Sequence, residues 1–432
     1  MKTVWLDREE IPHFNGLGGD IKTDVLIIGG GLAGVLCAYK LAERGVNYVL
    51  IERDRIMSKV SGFTTAKITA QHGLIYAKLI KGFSVERARQ YYKSNTQAIE
   101  EYRRLCENID CNFETMDSFV YSLSDKNKIE AEISALRSIG ADAKYKKELP
   151  LPFSVAGAVN LPNQAQFDPV MFAAAISKNL NIYEQTVARE FANGAVITNC
   201  GRITAKKIIV ATHFPFINKH GLYFLKMYQH RSYVVALEGA EDVGGMYVDE
   251  AKEGLSFRNY KNLLLLGGGS HRTGKKGGSY GELMAFAKKH YPNAKARFHW
   301  ATQDCMTLDG IPYIGRYSKQ TTDFYVATGF NKWGMTSSMV AANLLCDMVM
   351  GKQNEYTELY SPSRSILRPQ LVCNAFETTV SLLTFTSPRC PHLGCALKWN
   401  SQEHSWDCPC HGSRFSEQGK LLDNPATGDL EL

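Results

Sequence analysis

Apolar and polar positions near the start of the chain follow the order strand, helix, strand. Residues 25–28 form a short, uninterrupted apolar run, which is typical of a buried parallel strand. A helical pattern over residues 32–44 stops at Gly45, and Tyr48–Ile51 is a second apolar run. We therefore expect an α/β domain at the N-terminus, to which residues 206–212 return as a later sheet strand.

The middle of the chain shows two other patterns. Residues 84–108 carry apolar and aromatic side chains at helical spacing, with charged side chains between them. Residues 113–123 and 228–246 alternate between apolar and polar positions, which favours antiparallel strands. We expect these segments to form a substrate-binding domain, inserted into the α/β domain at about residues 76–150 and 226–300.

The first predicted strand leads directly into a glycine-rich turn. Gly29, Gly31 and Gly34 have the spacing G-x-G-x-x-G, and Glu52 follows the second predicted strand. Glycines at these positions permit a tight turn, a close approach of the backbone to a pyrophosphate, and close packing of the helix on the strand. An acid at the position of Glu52 can bind a ribose hydroxyl. The sequence therefore predicts a Rossmann-like dinucleotide site.

Later motifs indicate which dinucleotide is bound. Thr64 and Thr65 lie in a loop of small and hydroxylated residues, Thr212 ends a later strand, and Gly329 and Gly334 bound a turn before an apolar helix. In this order the motifs resemble the FAD-dependent oxidoreductases of the D-amino-acid-oxidase superfamily, over about residues 20–352. The resemblance implies FAD bound at the residues already named, which are Gly29, Gly31, Gly34, Glu52, Thr64, Thr65, Thr212, Gly329 and Gly334.

The turn before the last apolar helix could also act on the flavin. The helix predicted over residues 335–350 would direct its N-terminus at negative charge on a reduced flavin, and Lys332 could assist. Gly334 has a plainer explanation as well, because a glycine there lets the helix pack closely.

Two cysteines and two histidines near the C-terminus form the most specific chemical pattern in the chain. They are arranged as C-x-H and C-x-x-H, by Cys390, His392, Cys408 and His411. A [2Fe-2S] cluster with two histidines on one iron needs this ligand set. A zinc knuckle is the alternative, since two Cys and two His also satisfy tetrahedral Zn²⁺, but zinc sites usually space the first pair as C-x₂₋₄-C.

The loops around these ligands, CPHLGC and CPCHGS, resemble the cluster-binding loops of Rieske proteins. They are closest to those of the quinol-oxidising type, in which the resemblance implies a disulfide between the extra cysteines, here Cys395 and Cys410. Ser413 could donate a hydrogen bond to a cluster sulfur and raise the potential. High-potential members of the family carry a tyrosine where this chain has Phe415, so we expect an intermediate potential.

The domain that would hold the cluster is short. Residues 353–369 have the composition of a linker, and residues 370–432 remain for a small all-β Rieske domain, which therefore looks truncated. Within it, residues 372–386 offer one or two strands before the first cluster loop. Because thiolates and imidazoles need surrounding groups to orient and protect them, the short scaffold makes occupancy of the cluster site an open question.

Composition limits the class of protein. The chain has 432 residues, 44% hydrophobic and 22% charged, and a net charge of +7 without a long basic run, which gives no nucleic-acid signature. No apolar run is long enough for a membrane span, and the first twenty residues lack the apolar core of a signal peptide. Seven of the eleven cysteines are scattered outside the cluster loops, so we expect a cytoplasmic protein.

These features predict an FAD-dependent dehydrogenase. We expect a small-molecule donor, an amine or amino acid being favoured, whose electrons pass singly through the cluster to an external acceptor such as a quinone or electron-transfer protein. The alternatives are a flavin oxidase that uses O₂ and carries a vestigial Rieske domain, and a non-enzymatic redox sensor. No catalytic residue is evident, and the candidates by residue type alone are His72, His213, His230, His271, His299, Arg231 and Arg258.

Overall fold

The computed structural model describes residues 3–7, 11–192, 194–217, 221–384 and 388–431. The strands are β1 Ile21–Ile28, β2 Tyr48–Ile51, β3 Lys67–Ile68, β4 Glu114–Ser122, β5 Lys144–Lys146, β6 Gly157–Gln166, β7 Ile182–Tyr183, β8 Ala188–Ala192, β9 Ala195–Thr198, β10 Arg202–Val210, β11 Met227–Glu238, β12 Met246–Asp249, β13 Ser256–Tyr260, β14 Leu263–Arg272, β15 Lys295–Thr307, β16 Tyr313–Arg316, β17 Phe324–Thr328, β18 Lys398–Asn400, β19 Ser405–Asp407, β20 Arg414–Ser416 and β21 Leu421–Asp423. The helices are α1 Leu32–Glu43, α2 Tyr76–Gly82, α3 Val85–Cys106, α4 Lys126–Ser138, α5 Pro169–Ser177, α6 Tyr223–Lys226, α7 Tyr280–His290, α8 Gly334–Val349, α9 Thr357–Tyr360 and α10 Pro369–Leu382.

The first sheet forms the α/β domain predicted from the sequence. Its main path is β16-β17-β10-β1-β2-β7, and β1 pairs in parallel with β2 on one side and with β10 on the other. The apolar runs in β1 and β2 are buried, as expected of parallel strands covered on both faces. Helix α1 packs against α8, so the two glycine-rich turns predicted from the sequence belong to neighbouring elements.

The second sheet is the inserted domain, with the path β15-β11-β14-β13-β12-β4-β6-β3. Its longest ladder is the antiparallel pair β11 and β15, along which Met227 to Glu238 run opposite Thr307 to Lys295. The sheet extends beyond the segments predicted for this domain, to Gln166 in β6 and to Thr307 in β15. Helix α3 follows β3 in the chain but packs on α8 of the α/β domain.

The C-terminal part is a small antiparallel sheet in the order β18-β19-β20-β21. All four of these strands follow the first cluster loop. The prediction of one or two strands over residues 372–386 is wrong for the described part of that segment, because Pro369–Leu382 is helix α10. Pro369 occupies the first turn, where its missing N–H costs nothing and its fixed φ favours the helix. Phe385 and Thr386, at the end of the predicted segment, lie outside the described residues.

The segment predicted as a linker is attached firmly to the α/β domain over most of its length. Arg364 makes a buried ion pair with Asp309, 2.7 Å from Nε to the carboxylate, and also donates to the carbonyl of Pro312 at 3.0 Å. Its guanidinium lies 4.0 Å from the ring centroid of Tyr313. The chain just before the C-terminal domain is therefore held against the α/β domain.

Among the described residues, no helix is long and apolar enough to cross a membrane.

Candidate functional site

The glycine-rich turn after β1 is built so that a ligand can approach its backbone. Gly29 has φ +113°, and a Cβ there would lie 2.6 Å from the carbonyl oxygen of Ala211. A Cβ on Gly34 would lie 1.9 Å from the carbonyl oxygen of Gly29, so helix α1 can pack on the turn only with glycine at this position. The turn ends at Leu32, whose N–H donates to Ser61 Oγ at 2.9 Å. These contacts account for the spacing seen in the sequence.

A cavity of about 510 Å³ opens in front of this turn. It is lined by every predicted FAD-binding residue except Gly34, which lies beneath the turn: Gly29, Gly31, Glu52, Thr64, Thr65, Thr212, Gly329 and Gly334. The N-termini of α1 and α8 both reach it, so two positive helix ends are available for a phosphate and for the flavin ring. Because residues 29–31 are all glycine and line the cavity, a ligand can approach their backbone, and the residues present fit the pyrophosphate of a dinucleotide.

Glu52 holds the far side of the turn in place. Its carboxylate accepts hydrogen bonds from the N–H groups of Gly30 at 2.6 Å and Asp54 at 2.9 Å. Burial raises the pKa of Glu52, while these two N–H groups act in the opposite direction. The residue that the sequence predicts as a ribose ligand thus lines the cavity and also orders the loop around it.

The opposite wall of the cavity carries charged and polar side chains from the inserted domain and from the turn before α8. The Lys332 ammonium donates to Ser270 Oγ, and His230 Nδ1 lies 3.4 Å from the same hydroxyl. Partial withdrawal from water in the cavity wall raises the pKa of Asp304 to about 6, partly offset by Lys332, and it lowers the pKa of Lys332, whose side chain is nevertheless exposed towards the cavity. A cation and a carboxylate therefore face the cavity together, with His230 held neutral because burial lowers its pKa to about 3.

The backbone before α8 positions this group. Asn331 and Lys332 have φ of 51° and 73°, a left-handed conformation that non-glycine residues rarely adopt. Asn331 is held in place because its side chain accepts from the Thr307 N–H at 2.8 Å and donates to the Gly329 carbonyl at 2.6 Å. Next to them, Trp333 stacks on His72 with ring centroids 4.9 Å apart. Strain of this kind is typical of residues that are held for function.

The other candidates named from residue type divide into two groups. His72 and His213 line the cavity, and burial lowers the pKa of both, that of His72 to about 3. Arg231, Arg258, His271 and His299 are not among the lining residues. Arg258 is 1% exposed and donates to the backbone carbonyls of Thr65 and Ala66, so its role is to fix the loop that carries Thr65.

The structure places the four predicted cluster ligands in the C-terminal domain as two close pairs, Cys390 with Cys408 and His392 with His411. Cys390, Cys408 and His411 are buried, and the rings of His392 and His411 lie 4.9 Å apart. Both ring nitrogens of His411 are buried without a well-formed hydrogen bond, which suits a metal ligand. Burial lowers the pKa of His411 to about 4 and that of His392 to about 3, so both rings are neutral, as metal ligation requires. These residues fit the cluster that the sequence predicts.

The remaining predicted residues surround these ligands. The Sγ atoms of Cys395, Cys408 and Cys410 lie within 4.8 Å of one another. The disulfide expected between Cys395 and Cys410 is not formed in this structure, in which both are free cysteines, although the two thiols lie close together. Ser413 Oγ accepts from the Ala426 N–H at 3.0 Å, and its side chain also hydrogen-bonds to Cys390. The serine therefore lies at the thiol of one predicted ligand, Cys390, and its hydrogen bond to a cluster sulfur stays a prediction.

The cluster loops are attached to the rest of the protein by side chains that the sequence did not single out. Gln229 donates to the carbonyl of His411 at 2.7 Å, and Gln303 donates to that of Gly412 at 2.8 Å. Asn424 donates to the carbonyls of Thr212 and Phe214, at 2.9 and 2.7 Å. Asn424 itself lines the cavity. Glutamine and asparagine are common at polar positions, so the sequence alone gives no sign that these side chains hold the cluster loops.

A buried ion network reinforces this contact. Arg231 Nε of β11 lies 2.7 Å from Glu403 of the C-terminal domain, and the second carboxylate oxygen of Glu403 accepts from Arg414 at 3.0 Å. Arg414 also pairs with Asp407 at 2.9 Å and with Asp423 at 3.1 Å. All of these side chains except Asp423 are less than a tenth exposed. Arg231 thus joins two domains, which explains why it does not reach the cavity.

His411 faces the α/β and inserted domains. It is 1% exposed, and its ring lies 6.4 Å from that of Phe214 and 6.2 Å from that of Phe224, centroid to centroid. His392, in contrast, is partly exposed, and its neighbours Pro391 and Leu393 are exposed. The two histidines of the site therefore face in different directions, one into the protein and one towards solvent.

Comparisons with known proteins agree with both halves of this site. The family model described as FAD dependent oxidoreductase (DAO) matches residues 24–348, and the model of the Rieske [2Fe-2S] domain matches residues 376–431. The putative Rieske 2Fe-2S iron-sulfur protein YhfW of Bacillus subtilis (strain 168) is 35% identical over 493 residues, covering 100% of this chain and 97% of that protein. That alignment is longer than the 432 residues of this chain, so the relative has segments that this chain lacks.

Two further similarities each concern one part of the chain. The cytochrome b6-f complex iron-sulfur subunit of Synechococcus sp. (strain JA-3-3Ab) is 49% identical over 43 residues, 10% of this chain and 25% of that one. Glycine oxidase from Geobacillus kaustophilus has a similar fold, with a TM-score of 0.67 at 21% identity over 80% of this chain and 99% of that chain. L-proline dehydrogenase from P. horikoshii has the same TM-score at 20% identity, covering 81% and 98%.

Proposed function

This chain belongs to the DAO family of FAD-dependent oxidoreductases and carries a Rieske [2Fe-2S] domain, and we propose that it is a dehydrogenase for a small amine or amino acid. Its electrons leave singly through the C-terminal domain to an external acceptor, such as a quinone or an electron-transfer protein. FAD supplies two-electron oxidation of a C–H bond and the cluster supplies one-electron transfer. The residues of the chain bind and orient the donor and join the two sites.

The charged wall of the cavity supports an amine or amino acid as the donor. Lys332 offers an ammonium group to a carboxylate, and Asp304 offers a carboxylate to an amine. Ser270 orients the lysine, because its hydroxyl accepts from the ammonium. The names of proteins with a similar fold, glycine oxidase and L-proline dehydrogenase, are consistent with this substrate class. Trp333 and His72, whose rings stack on each other, line the same cavity.

A single observation carries the dehydrogenase assignment: the C-terminal domain forms part of the wall of the cavity. Asn424 lines the cavity and holds the loop of Thr212 and Phe214, and the buried His411 lies against Phe214 on the other side of that loop. A vestigial domain would not need this arrangement, in which one ligand histidine faces the cavity loop and the other, His392, faces outward.

The experiment that tests the proposal is reduction of the purified protein by candidate donors without oxygen. Small primary and secondary amines and amino acids are added in turn, and flavin and cluster absorbance are followed together. The proposal expects at least one donor to reduce both centres. In a parallel assay in air, the oxidase alternative predicts release of H₂O₂ at the full turnover rate, unchanged in Cys408→Ala. Failure of every donor, together with partner binding that depends on the cluster state, would favour a redox sensor.

A further inference from the structure

Helix α10 exposes its apolar face, whereas a surface helix of a monomer normally exposes its polar face. Its polar residues Asn374 and Ser381 are buried, while most of its apolar residues are exposed. The large side chains on the exposed side are Val372, Phe376 and Val380 on the helix and Leu383 just after it, at 72, 65, 44 and 66% exposure. A surface helix normally buries its apolar stripe against the core. Something other than the described part of this chain is therefore expected to cover this face.

Specific hydrogen bonds fix this orientation of α10. Asn374 Oδ1 accepts from Arg272 at 3.0 Å, and Asn374 Nδ2 donates to the Leu225 carbonyl at 3.3 Å. At the other end, Ser381 Oγ donates to the carbonyl of Ala396 at 3.2 Å. Rotating the helix to bury its apolar stripe would break all three contacts and leave buried polar groups unpaired. The outward apolar face is thus specified by the sequence.

The exposed positions have the spacing of a helix–helix seam. Cys373, Phe376, Val380 and Leu383 follow one another at intervals of three, four and three residues, which is the a/d pattern of two packed helices. Cys373 is itself exposed, so it belongs to the same face. The pattern favours a second helix as the partner over a strand, a loop or a flat surface.

We propose that this seam packs on α10 of a second copy of the chain, with the two helices antiparallel about a two-fold axis. A two-fold contact requires a patch that is complementary to itself, which a neutral apolar stripe satisfies. Glu377 is the one charged residue of α10, and it is paired within its own chain with Lys275 at 2.5 Å. Antiparallel packing also brings each positive helix end to the partner's negative end.

The size and composition of the patch support the same partner. Seven of the fourteen large apolar side chains that are exposed among the described residues lie between Leu367 and Leu393, so exposed apolar surface is concentrated in and around the seam. A stable interface buries roughly 800 Å² per partner, much of it apolar at its centre. A lipid surface is the main alternative. Helices that lie on lipid are rich in lysine and arginine along their polar face, whereas α10 contains neither.

Sedimentation of the full-length protein over a roughly hundredfold range of concentration tests this proposal. Wild type is expected to shift from monomer to dimer with rising concentration. Phe376→Glu places a buried charge at the seam and is expected to weaken dimerisation at least tenfold, while leaving flavin content unchanged. Its unfolding midpoint should equal that of wild type at low concentration, where both are monomeric. The matched control is Leu123→Glu, at an exposed leucine in another part of the chain, and it is expected to dimerise like wild type.

Cys373 provides a second measurement, because it is an exposed native thiol on the seam. Its alkylation is expected to slow as wild type is concentrated and to stay fast in Phe376→Glu. A wild-type protein that remains monomeric at every concentration overturns the proposal. So does a dimer that Phe376→Glu leaves intact, since the contact then lies elsewhere. A monomer that floats with anionic vesicles, and loses this property in Phe376→Glu, overturns it in favour of a lipid surface.

Discussion

The side-chain amide of Asn424 donates a 2.9 Å hydrogen bond to the backbone carbonyl of Thr212, and so connects the C-terminal domain to the wall of the flavin cavity. The same amide donates to the carbonyl of Phe214, whose ring contacts His411. One residue therefore holds the loop that separates the cavity from the cluster ligands. The two sites are parts of a single interface.

Replacing Asn424 by Ala is expected to weaken this interface. Two carbonyl groups in the loop would lose their donor, which costs roughly 1–3 kcal/mol for each group that stays unsatisfied. Chemical unfolding followed by fluorescence measures the loss. Asn262→Ala removes an amide whose partner is an exposed glutamate, Glu238, and serves as the control with little expected effect. Equal stability of the two variants would show that Asn424 does not support the domain contact.

The ion pair between Arg231 and Glu403 is expected to stabilise the domain contact strongly. Both side chains are almost fully buried, at 6 and 4% exposure, so Arg231→Ala leaves Glu403 with only Arg414 as its partner. Removing one member of a buried pair costs about 3–5 kcal/mol. Lys420→Ala, which breaks the exposed pair with Asp429, should change the free energy of unfolding little. Similar unfolding free energies for the two variants would contradict this account of Arg231.

The turn at Gly34 is expected to tolerate no side chain. Because a Cβ would lie 1.9 Å from the Gly29 carbonyl oxygen, Gly34→Ala must displace either α1 or the turn that faces the cavity. We expect FAD affinity to fall at least tenfold, measured as the flavin-to-protein ratio after dialysis. Gly18→Ala is the matched control, since a Cβ there meets nothing within 4 Å. Full flavin content in Gly34→Ala would contradict the assignment of this turn to the dinucleotide.

The buried carboxyl of Asp304 predicts a dependence of stability on pH. Its pKa rises from an ordinary 3.8 to about 6, mainly because of burial, so the folded protein binds more protons than the unfolded chain between these values. The contribution of Asp304 to the free energy of unfolding is fully present below about pH 4 and is lost as the pH rises to about 6. Asp304→Asn is therefore expected to be more stable than wild type above pH 6, by on the order of 1–3 kcal/mol, and to bind an amine donor more weakly.

Thermal unfolding of both proteins between pH 4 and 8, followed by donor titration at neutral pH, checks this prediction. A stability difference that does not change with pH would mean that Asp304 ionises as it does in the unfolded chain. An unchanged affinity for the donor would show that Asp304 does not bind the donor, and Lys332 would then be the remaining charged candidate.

Features that depend on residues close together in the chain can be predicted from the sequence. The strand, glycine turn and helix at Gly29 to Gly34 and the paired ligands around Cys390 and His411 are local patterns, and the structure brings each set together. Helix α10 was mistaken for strands because its Asn374 and Ser381 face inward, so its apolar stripe does not match a helix that packs on a core. The partners that make this favourable, Arg272 and Ala396, are distant in sequence.

Dependence on contacts between residues distant in the sequence also explains why some site residues cannot be predicted. Asp304 lies in β15 and Ser270 in β14, and neither is part of a motif, yet both reach the cavity beside Lys332. Arg231 and Arg258 were candidates for substrate binding by residue type, but the structure gives both to other partners, Glu403 and the carbonyls of Thr65 and Ala66. Such assignments depend on tertiary contacts that have no local pattern.

The measurement that tests the central claim most directly is an anaerobic titration of the purified protein, monitored together by visible absorption and electron paramagnetic resonance. Before titration, iron and sulfide should be present in the ratio of a [2Fe-2S] cluster per flavin, and Cys408→Ala should lose both while keeping its flavin. The account predicts that a donor that bleaches the flavin also produces the signal of a reduced cluster in wild type. A cluster that stays oxidised while the flavin is fully reduced, or a protein without stoichiometric iron and sulfide, would contradict it.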